Sequence, residues 1–139
     1  MKRFMVMILF VVGCQTTTTP TPHPLPPRVL VLTPEQYTFG QGTTIHKLIE
    51  AAGGVNAAAT LNGYQQMNDS QIIQLKPDII LFSSTWDSAS IDYWQQAPVY
   101  AELPAIRHAR LYQLDFSLAE ADLQAHYSAR LATMQTLVR

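Results

Sequence analysis

Two segments, Val29-Leu30-Val31-Leu32 and Ile79-Ile80-Leu81-Phe82, each hold four consecutive apolar residues, half of them β-branched. Successive side chains of a strand point to opposite faces, so an unbroken apolar run has no side to offer to water and must be covered above and below. Helical patterns lie between and after them. Ile45, Leu48, Ile49 and Ala52 form a stripe that begins after Thr43 and stops at Gly53-Gly54, a pair suited to a left-handed helix end. Asn68 to Gln71 has capping-box spacing, followed by Ile72, Ile73 and Leu75 before Lys76-Pro77, where a helix must stop. Asp87 or Ser88 can cap a helix running through Ile91 and Trp94 to Gln96, with Pro98 beyond it. Leu111 to Leu114 reads as a third strand, and Leu123, Tyr127, Leu131, Met134 and Val138 as the inward stripe of one long terminal helix. The alternation predicts an α/β fold: a three-layer, Rossmann-like arrangement with a mostly parallel sheet flanked by helices and ligands at the carboxyl ends of the strands.

The segments before this domain have a different character. Lys2 and Arg3 precede an apolar run from Phe4 to Val12, too short to span a bilayer and proportioned like a secretory signal. Val11-Val12-Gly13-Cys14 resembles the bacterial lipobox, which implies acylation of Cys14, the only cysteine among 139 residues, and anchoring at a membrane. By the sorting rule for such lipoproteins, Gln15 after the cysteine favours the outer membrane in a Gram-negative host. Gln15 to Pro27 is rich in threonine and proline; as an extended tether at about 3.1 Å per residue it would reach roughly 40 Å. The expected organisation is therefore signal and lipobox over 1–14, tether over 15–27 and one folded unit over 28–139. A formal charge of −1, with no block of like charge, argues against nucleic acid as a partner.

Within the folded unit, GQGTTIHKLIEAAGGVNAA (40–58), GYQQMNDSQIIQLKPDIILF (63–82) and APVYAELPAIRHARLYQLD (97–115) resemble consecutive blocks of the periplasmic binding proteins that serve ABC transporters for haem, cobalamin and ferric siderophores. Such proteins clasp a ligand between two α/β lobes, and these blocks belong to the carboxy-terminal lobe. The resemblance implies a single lobe of that architecture. It also implies a metal chelate as transported ligand, an ABC permease as partner, and a second lobe in trans or a homodimer to cover the other side of the cleft. AGGVNAA followed by GY is most similar to the haem-binding branch.

Carried onto this sequence, the resemblance places Gly40, Gln41, Gly42, Thr43, Tyr64, Met67, Trp86 and Phe116 at the cleft. The glycines permit close approach of a ligand, and the helix start near Thr43 suits a carboxylate or propionate; the same residues equally fit a tight turn that caps a helix. Tyr64 would pack on the ligand face or ligate ferric iron through its phenol. Trp86, beside Ser83, Ser84 and Thr85, would stack on a flat ring or serve as a partly buried loop aromatic, and Met67 would touch the ligand or fill core. Phe116 and Ser117 would complete the rim. Relatives dock to the permease through a glutamate six residues after the cleft aromatic; here that position is Ser70, with Asp69 beside it. His46, His108 and His126 lack ligand spacing for a metal site. No nucleophile and base constellation points to an enzyme, and no resident cofactor is expected. The alternative reading is an envelope interaction lipoprotein that keeps the lobe but has lost transport.

Overall fold

A computed structural model describes residues 25–139. Cys14, the apolar run before it and the tether as far as residue 24 lie outside the described residues. The strands are β1 (Arg28–Leu32), β2 (Tyr37–Phe39), β3 (Val55–Asn56), β4 (Tyr64–Gln66), β5 (Ile79–Phe82) and β6 (Leu111–Gln113). The helices are α1 (Thr44–Ala51), α2 (Asp69–Leu75), α3 (Ser88–Gln96), α4 (Pro104–Arg107), α5 (Glu120–Ala125) and α6 (Tyr127–Val138), with a 3-10 turn over Pro98–Tyr100.

Four strands make one parallel sheet in the order β3-β1-β5-β6. The two apolar runs are its central pair, joined in register from Val29 opposite Ile79 to Leu32 opposite Phe82. Their side chains are buried on both faces. Leu30, Leu32, Ile80 and Phe82 pack with Ile72 of α2, Trp94 of α3, Tyr100 and Ala105. Val29, Val31, Ile79 and Leu81 pack with Ile45, Leu48 and Ile49 of α1, Leu123 of α5, and Met134 and Val138 of α6. The result is the expected three-layer α/β lobe, with each buried aliphatic side chain contributing about 1.5–3 kcal/mol of transfer free energy.

Helix ends follow local chemistry. Thr43 caps α1 by accepting from the His46 amide at 3.1 Å, and Gly53 takes the left-handed conformation (φ +97°) just beyond it. Asn68 and Gln71 form the reciprocal capping box of α2, and Lys76 closes that helix at φ +48°. Asp87 caps α3 through the Ser90 amide.

Four features differ from the expected pattern. The terminal helix is two helices, because His126 leaves helical geometry (φ −121°, ψ 32°) with its imidazole Nδ1 3.2 Å from an Asp122 carboxylate oxygen. Consequently Tyr127 and Leu131 are only half-buried, whereas Leu123, Met134 and Val138 are core. A separate antiparallel pair, β2 with β4, stands apart from the main sheet. The third strand stops at Gln113, although Leu114 is buried and donates its amide to the Phe82 carbonyl at 2.7 Å. Finally, the sheet has a fourth strand, β3, which pairs with β1 and whose Val55 amide donates to the Pro27 carbonyl at 2.8 Å. Among the described residues, no helix is long and apolar enough to cross a membrane.

Candidate functional site

The carboxyl ends of β1, β5 and β6 deliver short polar segments to one edge of the sheet, as expected where ligands bind in open parallel α/β folds. Thr33 follows β1, Ser83, Ser84 and Thr85 follow β5, and Ser117 lies in the segment after β6. These hydroxyls line a crevice of about 850 Å³ together with Pro34, Glu35, Phe39, Thr43, Tyr64, Leu118, Ala119 and Glu120. Its volume suits a small-molecule ligand.

One wall is aromatic. Phe39 and Tyr64 are paired across β2 and β4, which brings the Tyr64 ring to 4.9 Å from Phe39 and stacks it on Tyr37 at 4.7 Å and 12°. Tyr64 is nevertheless 52% exposed. It is therefore a positioned aromatic surface, held from behind and open in front.

Another part of the lining is built around the start of α1. The Thr43 hydroxyl donates to the Gly40 carbonyl at 2.8 Å while it caps the helix. Next to it, the Thr44 hydroxyl donates to the Glu120 carboxylate, which also accepts from the Gln124 amide at 3.1 Å. The Thr44 bond is the main reason that Glu120 is held below the usual carboxylate range, with Gln124, the Thr44 backbone amide and Lys47 assisting against partial desolvation. At this helix start, where the sequence left open a ligand carboxylate or a plain capping turn, lies the protein's own Glu120.

Of the residues assigned to the cleft from sequence, Thr43 and Tyr64 line the crevice, and the others are elsewhere. Gly40 is buried where a Cβ would sit 2.3 Å from the Leu61 carbonyl oxygen. Its amide donates to the Gly63 carbonyl and that of Gln41 to the Leu61 carbonyl, both at 2.8 Å. The close approach that required glycine is thus backbone to backbone. Gly42 adopts φ +85° on the exposed outside of the same turn. Met67 fills the core beside Ile72 and Leu30. Trp86 is 8% exposed, donates its indole N–H to the Leu32 carbonyl at 2.9 Å and packs edge-on to Phe82 and Trp94. Phe116 is buried in the other core layer, with the Arg130 guanidinium 4.8 Å from its ring centre.

The docking positions lie on the first turn of α2. Ser70 is exposed. Asp69 is engaged within the lobe, accepting from the Tyr100 hydroxyl at 2.6 Å and the Gln36 amide at 2.8 Å. These two bonds hold its carboxyl below the usual range, and burial together with Asp69 pushes the Tyr100 phenol upward.

Sequence reasoning missed Phe39, Glu35 and Glu120. Tyr37-Thr38-Phe39 after Pro34-Glu35-Gln36 carried the available signal, a turn followed by strand formers. No group of three or more His, Cys, Asp or Glu able to hold a metal ion occurs among the described residues.

The topology and the crevice define an α/β lobe with a ligand-sized opening at its strand ends. The chain belongs to the periplasmic binding protein family, whose sequence pattern matches residues 16–118. It is 32% identical over 82 residues to an uncharacterized ABC transporter substrate-binding lipoprotein, YvrC, of Bacillus subtilis (strain 168), a match covering 59% of this chain and 25% of that protein. It is 25% identical over 69 residues to the Fe(3+)-citrate-binding protein YfmC of the same organism, covering 50% of this chain and 22% of the relative. Among solved structures, the periplasmic haem-binding protein BhuT in complex with two haems superposes with a TM-score of 0.63 at 23% identity, covering 84% of this chain and 47% of that one. The match thus spans about a quarter of these curated relatives and about half of this solved structure.

Proposed function

We propose that this lobe is a substrate-binding component of an ABC-type uptake system for iron- or haem-type metal chelates, held at the extracytoplasmic side of a membrane through Cys14. The observation that carries the reading is Tyr64: an aromatic ring braced by Tyr37 and Phe39 at the mouth of a hydroxyl-lined crevice, at the strand ends where this architecture binds ligands. The names of the relatives, which include ferric citrate and haem binders, support the ligand class. The lipoprotein name of YvrC supports the anchor, and Gln15 favours the outer membrane in a Gram-negative host. A chelate seated here turns its other face to a second lobe or a second copy, so its affinity for this lobe alone is modest.

Haemin titrated into the full-length protein is expected to perturb the Soret band. Tyr64→Ala should weaken the interaction about three- to tenfold by removing the aromatic contact. Because Tyr64 is half exposed, its loss leaves the fold intact. An unchanged Soret spectrum at tens of micromolar would count against haem.

One observation favours the second reading, an envelope interaction lipoprotein. Ser70 carries no charge, and Asp69 is committed to Tyr100 and Gln36, so neither presents a free carboxylate to a permease arginine. Co-purification of an ABC permease with the anchored protein supports transport. Recovery of other envelope proteins alone supports the second reading.

A further inference from the structure

The crevice has a consistent electrostatic character that its neighbours in sequence do not announce. Its polar lining is made of hydroxyls and two carboxylates, Glu35 and Glu120, and the lining residues include no lysine, arginine or histidine. The nearest cations do not reverse this. Arg130 is paired with Asp122 at 2.8 Å and rests on Phe116, while Lys47, which acts on Glu120 only as the least of its influences, is exposed one helical turn beyond Thr43 on α1. The start of α1, where backbone N–H groups would welcome an anion, already faces Glu120 through Thr44.

From this geometry we infer that the lobe selects chelates by charge: a neutral or cationic metal chelate is preferred over an anionic one, and anionic substituents on any bound ligand are turned away from this wall. The inference rests on the chelate-binding reading above and sharpens it. A haem, for example, would be seated with its porphyrin against Tyr64 and its propionates directed outward. An anionic chelate would meet Glu35 and Glu120 with no lysine, arginine or histidine among the residues lining the crevice.

The mechanism is long-range Coulomb repulsion in a half-open, solvated crevice. Each charge pair at about 8 Å is worth only a fraction of a kcal/mol in water, and salt screens it over a similar distance. The expected selectivity is accordingly modest and ionic-strength dependent.

The test uses the ferric complex of one linear trihydroxamate carrying a pendant amine, prepared with the amine free, acetylated or succinylated. These forms share one metal centre and carry net charges of about +1, 0 and −1 at neutral pH. Binding to the full-length protein is followed by quenching of intrinsic fluorescence. At low salt the cationic form should bind about fivefold more tightly than the anionic form, with the neutral form between them. The gap should shrink on adding salt and again in Glu35→Gln. This exposed substitution leaves the core untouched, and Glu120→Gln, which keeps an acceptor for Thr44, should act in the same direction. Equal affinities across the series, or tighter binding of the anionic form, would overturn the charge selection while leaving chelate binding in place. Failure of all three forms to bind would overturn the chelate reading itself, and this inference with it.

Discussion

At Gly40 the chain passes so close to the Leu61 carbonyl that a single added methyl group would collide with it. Gly40→Ala is expected to destabilise the protein by about 1–3 kcal/mol through forced backbone displacement, measured as a lowered midpoint in chemical denaturation. The same residue shows what sequence conveys about a site. Glycine at this position reads as room for a ligand or as a tight turn, and the group that approaches is another stretch of backbone. Trp86 repeats the lesson, because the carbonyl that accepts its indole N–H belongs to Leu32, 54 positions away. Tyr64 came from the family resemblance alone, and its ring lies exposed at the crevice, paired with Phe39.

Among the elements, those whose ends are decided within a few residues were readable. The capping box of α2 and the caps of α1 and α3 all involve partners three positions apart. Lys76 ends α2 in the left-handed region, a conformation that costs a non-glycine residue about 1 kcal/mol. Lys76→Gly should therefore raise stability by up to about 1 kcal/mol, seen as a higher melting temperature. The β2 and β4 pair was not readable, since each strand is three residues long and Phe39 meets Tyr64 across 25 positions of chain. The interruption at His126 was equally hidden, because the apolar stripe continues through it while the Asp122 contact draws the imidazole aside.

For the whole molecule, the alternation of buried strands and amphipathic helices carried the architecture, because covering both faces of an apolar sheet leaves few arrangements. Its response to acid follows from four carboxylates held below their ordinary values: Asp69 by Tyr100 and Gln36, Asp87 chiefly by the Ser90 amide, Glu120 chiefly by Thr44, and Asp122 chiefly by Arg130. A group whose folded value is depressed contributes stability that is complete above its unfolded value and disappears as pH falls through the folded one. Melting temperature should therefore hold at mildly acidic pH and decline below about pH 4. The variant combining Asp69→Asn, Glu120→Gln and Asp122→Asn should melt lower at neutral pH and show a shallower acid decline, measurable by thermal scans across pH.

The strands at the two margins of the main sheet, β3 and β6, are two and three residues long. A long marginal strand is a template on which another chain can extend the hydrogen-bonded ladder, and short ones deny it a foothold. Wherever copies of this domain meet at high local concentration, that brevity is protection against polymerising edge to edge.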